Sequence, residues 1–223
     1  MSNRTNKEQA IKLLEKRDKA GLLKWAGSVR NPQRILISLA YSDNELIKWR
    51  SIEAIGIVSA LMAKSDLERV RDLVRRLFWL MNDESGGLGW SSPEMIGEIL
   101  VNIPELIDEF GHILIAYFDE EPFERGSHLA VSRVASINPE PYKSKIPRLI
   151  ESLNSSDTYI QYYALLILHS IEAEPPVAAV KRMLGDSSSI TIYDFEEGTF
   201  SDMTVDNAVR NLVKGNKLAG LLN

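Results

Sequence analysis

Cysteine is absent from this 223-residue chain, which excludes disulfide staples, thiolate nucleophiles and cysteine-ligated zinc. Histidine is scarce, at three residues, and leaves little from which to build a transition-metal site. No stretch approaches the ~18 uninterrupted apolar residues of a membrane-spanning helix. The opening Met1-Ser2-Asn3-Arg4-Thr5-Asn6 is polar and lacks the apolar core of a secretion signal. A cytoplasmic protein without membrane contact is therefore expected. The most uneven absence is that of positive charge. Residues 77–124 contain no lysine or arginine and 11 acids, whereas residues 1–76 carry 16 basic and 9 acidic residues. With a net charge of −5 and a base-free centre, the chain lacks the cationic track that nucleic acid requires, and no nucleic-acid partner is expected. Segregated charge of this kind ordinarily marks solvated faces.

What is present is helical periodicity. Apolar residues recur at i, i+3 and i+4 over 6–17, 19–26, 31–41, 45–63, 66–81, 93–102, 104–118, 123–137, 142–153, 158–171, 177–184 and 205–214. Asp43, Asp66, Ser92 and Asp157 are placed to cap helix starts, and the prolines stand at boundaries where a missing N–H does no harm. One stretch breaks the rule. In 189–205 apolar and polar residues alternate around Glu196-Glu197-Gly198, which predicts a small hairpin or extended excursion. It is acidic, with six acids and no base over 186–206.

The passage from Asp83 to Ile99 stands out chemically. Gly86, Gly87 and Gly89 make a loop, followed by Trp90 and a helix start at Ser92-Pro93-Glu94. The glycines lack the Gly-Lys-Ser/Thr of a phosphate loop and follow no strand, so the loop is read as a tight connection that places Trp90 over a groove. Glu94 and Glu98 lie four apart on one helix face, where like charges repel by roughly 0.2–0.5 kcal/mol. A long-range partner, Arg50 or Arg125, is expected for them.

Several helices read as the same part. A small residue recurs mid-helix at Ala54, Gly97, Ala130, Ala164 and Ala208, at intervals of 43, 33, 34 and 44 residues. Small side chains let neighbouring helices approach, and each helix pair buries its apolar face only against the next. With the Asp-initiated second helices, this pattern resembles the HEAT repeat, an armadillo-like module, in the short bacterial form shared with phycobilin-lyase-like HEAT proteins, over roughly 43–223. The resemblance implies an all-α, right-handed solenoid of about five helix pairs forming one domain over 1–223. Residues 1–30 would be its N-terminal cap, and 189–205 an extended insertion in the last repeat.

In such a solenoid the second helices line the concave face and their polar positions share one groove. The residues expected there are Trp49, Arg50 and Glu53, then Trp90, Glu94 and Glu98, then Arg125 and His128, then Tyr159 and Tyr162. Aromatic and arginine side chains on one face are the composition of a recognition surface. The expected function is a non-enzymatic scaffold that binds a protein or peptide in the concave groove, with no cofactor. The alternative is a small-ligand-binding or metal-dependent enzyme with a carboxylate site at Glu94/Glu98. HEAT-like di-iron hydroxylases use His-Glu dipeptides, whereas His112, His128 and His169 are followed by Ile, Leu and Ser.

Overall fold

Short polar side chains set the helix starts. In the computed structural model, which describes residues 3–82 and 89–214, Asp18, Asn44, Asp66, Asp157 and Thr204 each accept a hydrogen bond from a first-turn amide. Each satisfies a donor that a helix leaves open. Asn44, rather than the neighbouring Asp43, caps its helix, because its Oδ1 reaches the amide of Ile47 at 3.1 Å.

The helices are α1 (Asn3–Glu15), α2 (Lys19–Ser28), α3 (Pro32–Leu39), α4 (Glu45–Ala63), α5 (Leu67–Met81) and α6 (Ser92–Asn102). Then come α7 (Ile107–Phe110), α8 (Glu124–Ala135), α9 (Ile146–Ser152), α10 (Thr158–Ser170), α11 (Val177–Met183) and α12 (Val205–Val213). Between α11 and α12, β1 (Ser189–Asp194) and β2 (Thr199–Thr204) form an antiparallel hairpin, with Ile190 paired to Met203 and Tyr193 to Phe200. The chain is thus mainly helical, with one small two-stranded sheet near its C-terminal end. Among the described residues no helix is long and apolar enough to cross a membrane. The Gly86-Gly87 part of the expected glycine loop lies outside the described residues.

One expected helix is not continuous. Residues 104–117 run as a 3-10 turn, the short α7 and a second 3-10 segment, Gly111–Tyr117. The buried Tyr142 explains the break: its hydroxyl donates to the carbonyl of Gly111 at 3.2 Å, the acceptor that an unbroken helix offers to the amide four residues on.

Packing proceeds in sequence order. α4 lies against α6, α6 against α8, α8 against α10 and α10 against α12. Behind this inner row, α3 backs α4, α5 backs α6, the Gly111–Tyr117 segment backs α8, α9 backs α10 and α11 backs α12. The small residues do what close approach demands: a Cβ on Gly97 would come within 2.8 Å of Ala130 Cβ, so α6 and α8 meet nearly backbone to backbone. The uneven charge also finds partners across the row. Arg71 and Arg75 on α5 reach Glu109 at 2.8 and 3.1 Å, and Arg133 on α8 reaches the buried Glu98 on α6 at 2.8 Å.

Candidate functional site

The C-terminal hairpin does not hang off the end of the helical row; it reaches back to the beginning. Its turn is built by Asp194, whose Oδ1 accepts from the amides of Glu196 and Glu197 at 2.7 and 3.0 Å. Gly198 follows at φ 69°, and a Cβ there would collide with the Arg17 guanidinium. Arg17 donates to the carbonyl of Phe195 at 2.6 Å and to Glu53 Oε1 at 2.9 Å. Arg50 donates to Gly198 O at 3.1 and 3.0 Å, and also to Leu14 O and Glu15 O at the end of α1. Glu53 is the common anchor: Lys19 Nζ lies 2.8 Å from it, and the Tyr193 hydroxyl donates to its Oε2 at 2.9 Å. Farther along the inner row, the Arg133 guanidinium covers the Phe195 ring at 4.1 Å, and the amide of Thr191 donates to Tyr159 Oη at 3.0 Å. The hairpin therefore crosses the inner helices as a strap, fixed on α10 at one end and on α4 and α1 at the other.

Arg17 itself occupies the left-handed region, at φ 50°. Its amide bonds Leu14 O and the next amide bonds Leu13 O, the pattern of a Schellman C-cap, where glycine is usual. An arginine there costs backbone strain of order 1 kcal/mol, offset by a side chain that ties the strap down.

Between strap and helices lies a cleft of about 480 Å³. Trp49, Leu129, Tyr159 and Tyr163 wall it from the helices, and Tyr193 and Phe200 from the strap. Trp49 stacks on Tyr193 with ring centres 5.6 Å apart, and Tyr193 meets Phe200 edge-on at 5.6 Å. Glu94 and Gly126 meet in the same cleft. A Cβ on Gly126 would lie 2.7 Å from Glu94 Oε1, so the glycine makes room for the carboxyl. Glu94 Oε2 is buried and has no hydrogen-bond partner among the described residues. The cleft's other charges are matched. Arg125 donates to Asp157 at 2.8 and 2.6 Å and lies over the Tyr159 ring at 4.2 Å, while Lys48 sits 3.4 Å from Glu45. A second depression, between α3 and α5, is rimmed by Arg34, Arg69 and Arg76 and holds none of the residues singled out from the sequence.

Of the ten residues expected in one groove, Trp49, Glu94, Arg125 and Tyr159 line the cleft. Arg50 and Glu53 lie on the same row but are consumed by the strap. The expected arginine–glutamate pairs form differently: Glu98 is held by Arg133 at 2.8 and 3.2 Å, Arg125 by Asp157, Arg50 by carbonyl groups, and, among the described residues, Glu94 by no arginine. His128 is buried, stacked on Phe118 at 3.6 Å, with its ring nitrogens 2.7 Å from Glu124 O and 2.8 Å from Ser152 Oγ, so it does not converge with the glutamates. Tyr162 is half-buried against Tyr163 and Trp90 is exposed; neither lines the cleft. Periodicity held the signal for the residues that were missed. Glu45/Trp49 on α4, Arg125/Leu129 on α8 and Tyr159/Tyr163 on α10 are three i,i+4 pairs, each sharing a face, which selects Tyr163 over Tyr162.

The electrostatics separate the three glutamates. Burial pushes Glu53 up, but hydrogen bonds from Arg17, Lys19 and Tyr193 outweigh it and hold the carboxyl below its ordinary value. Burial also raises Glu98, and Arg133 opposes this only in part. Glu94 is pushed up to about 7 by burial, against the pull of its own amide and the field of Lys48. Among the described residues no group of three or more His, Asp or Glu side chains comes together to hold a metal.

Two predictions follow from these contacts. Glu53→Gln leaves Arg17 and Lys19 without their counter-charge, a loss of about 3 kcal/mol for a buried ion pair broken on one side. Hydrogen exchange should then accelerate in β1 and β2 first; uniform acceleration over all helices would contradict the anchoring role. For His128, burial lowers the ring to about 4. The unfolded chain takes up the proton near 6.5, so acidification from about 6.5 to 4 favours unfolding, by up to about 3 kcal/mol once complete. Urea unfolding should show wild type losing stability relative to His128→Gln across that window, and a pH-independent difference would contradict it.

No family model matches the chain, and no solved structure matches it. It is similar to an uncharacterised protein of Archaeoglobus fulgidus, 27% identical over 179 residues that span 78% of this chain and 93% of that protein.

Proposed function

We propose that this chain is a non-catalytic binding module, a HEAT-like solenoid whose inner helices and C-terminal strap together receive a short segment of another protein. The solenoid reading is supported by the sequential packing of α4, α6, α8, α10 and α12, each with a backing element behind it, and by the backbone-close contact of Gly97 with Ala130. One observation carries the binding role: Trp49 of α4, Tyr159 and Tyr163 of α10, and Tyr193 and Phe200 of the chain's own hairpin converge on a single cleft of about 480 Å³, to which α6 and α8 add Glu94 and Leu129. Rigid rings offer large contact area at low entropic cost, and the flanking cations are already paired.

A second reading, a small-ligand site, draws on one further observation. The cleft volume lies within the roughly 300–1,000 Å³ of small-molecule pockets, and Glu94 lines it, with its buried Oε2 unpartnered among the described residues. The two-carboxylate form of this reading gains no support, since Glu98 is tied to Arg133 away from Glu94.

Thr191, exposed on β1, borders the cleft, and Thr191→Trp fills the opening with a side chain that strands accept. Selection of phage-displayed random peptides on wild type should enrich a sequence family that Thr191→Trp fails to retain, with thermal unfolding of the two proteins alike. No enrichment, or equal retention by both proteins, would overturn the scaffold reading.

A further inference from the structure

We propose that the cleft seats an alkylammonium group, with Glu94 as its counter-ion and the surrounding rings as its walls. The inference rests on the binding role argued above and names the chemistry that this site selects.

Glu94 Oε2 is shielded from solvent and has no hydrogen-bond donor among the described residues, an arrangement that disfavours the ionised carboxylate; the residue borders the cleft, where a cation would favour that form. Space beside it is deliberate in the geometric sense: only a glycine at 126 leaves room for the carboxyl against α8. Around it stand Trp49, Tyr159, Tyr163, Tyr193 and Phe200, whose ring faces carry the negative side of the aromatic quadrupole. Rings of this assembly already hold cations: Arg125 over Tyr159 at 4.2 Å, and Arg133 over Phe195 at 4.1 Å just beyond the cleft. An anion is poorly matched here. It would have to displace Glu45 from Lys48 or Asp157 from Arg125 and would then face Glu94.

Proton linkage gives the site a signature. The charged and titratable groups that share the cleft with Glu94 are Glu45 and Lys48 on α4, Arg125 on α8, Tyr159 and Tyr163 on α10 and Tyr193 on β1, with Tyr41, after α3, also in its field. Burial raises Tyr41, Tyr163 and Tyr193 further above their ordinary values, whereas burial brings Glu94 up to about 7. An incoming ammonium binds the ionised form. Affinity should therefore rise about tenfold from pH 6 to pH 8, as the carboxylate goes from minor to major species.

Calorimetric titration of the full chain with butylammonium, and with the tripeptide acetyl-Gly-Lys-Gly-amide, tests this and separates a free amine from a lysine side chain as the source. Either probe binding, with butyrate inert, supports the ammonium site, and a large preference for the peptide assigns it to lysine. Glu94→Gln should abolish both the binding and its pH dependence, while Lys48→Gln, which removes the resident cation, should tighten it. Butyrate binding as well as butylammonium, neither cation binding, or Glu94→Gln binding like wild type would overturn the proposal. If phage-selected peptides still depend on an open Thr191 position while ammonium probes fail, the ammonium assignment falls and the scaffold reading stands.

Discussion

The carboxylate of Glu53 is the contact on which the architecture turns. It sits mid-way along α4, nearly buried, with Arg17 and Lys19 from the start of the chain on one side and the Tyr193 hydroxyl from its end on the other. These groups have no local reason to meet: Tyr193 lies 140 positions from Glu53 in the sequence. Here a buried, multiply hydrogen-bonded anion joins them. Such a group is costly to strip of any single partner, so the strap is held in one place rather than resting loosely on the groove.

That placement makes the cleft. The hairpin lies against α4 and α8, through Arg50, Tyr193 and Arg133. With it, Arg50 is spent on backbone carbonyls, Glu53 on the latch, and Phe195 lies under Arg133 beside Glu98. Among the described residues, what borders the cleft is a set of rings and the Glu94 carboxyl, whose buried Oε2 has no hydrogen-bond partner. The hairpin thus bounds a ring-lined cleft that has Glu94 on its wall.

Local elements were legible in the sequence because their causes are local. Pro32, Pro93, Asp66 and Asp157 mark helix starts through backbone chemistry that acts within one turn, and the alternation of 189–205 pointed to a hairpin or an extended excursion, of which the structure has the hairpin. The recurring small residues announced close helix contacts, as Gly97 and Ala130 show. The fate of the hairpin was not legible. Arg50 and Gly198 are 148 positions apart, and no periodicity links an arginine on one helix to a carbonyl in a distant turn. Trp90 illustrates the converse: it precedes its helix, so helical phase does not fix its direction, and it ends up exposed outside the cleft. Tyr163 was within reach, four residues from Tyr159 on the same face, had phase been weighed above polarity.

Absence of cysteine permits the most direct test of the strap. Paired spin labels at Lys16→Cys, just before the α1 C-cap, and Glu197→Cys, in the hairpin turn, report the separation of the two ends in solution by double electron–electron resonance. A single short, narrow distance distribution, broadened by Glu53→Gln, is the result expected if the buried carboxylate holds the ends together. A long or broad distribution in the otherwise unaltered protein would show that the hairpin does not close the groove, and the cleft would go with it.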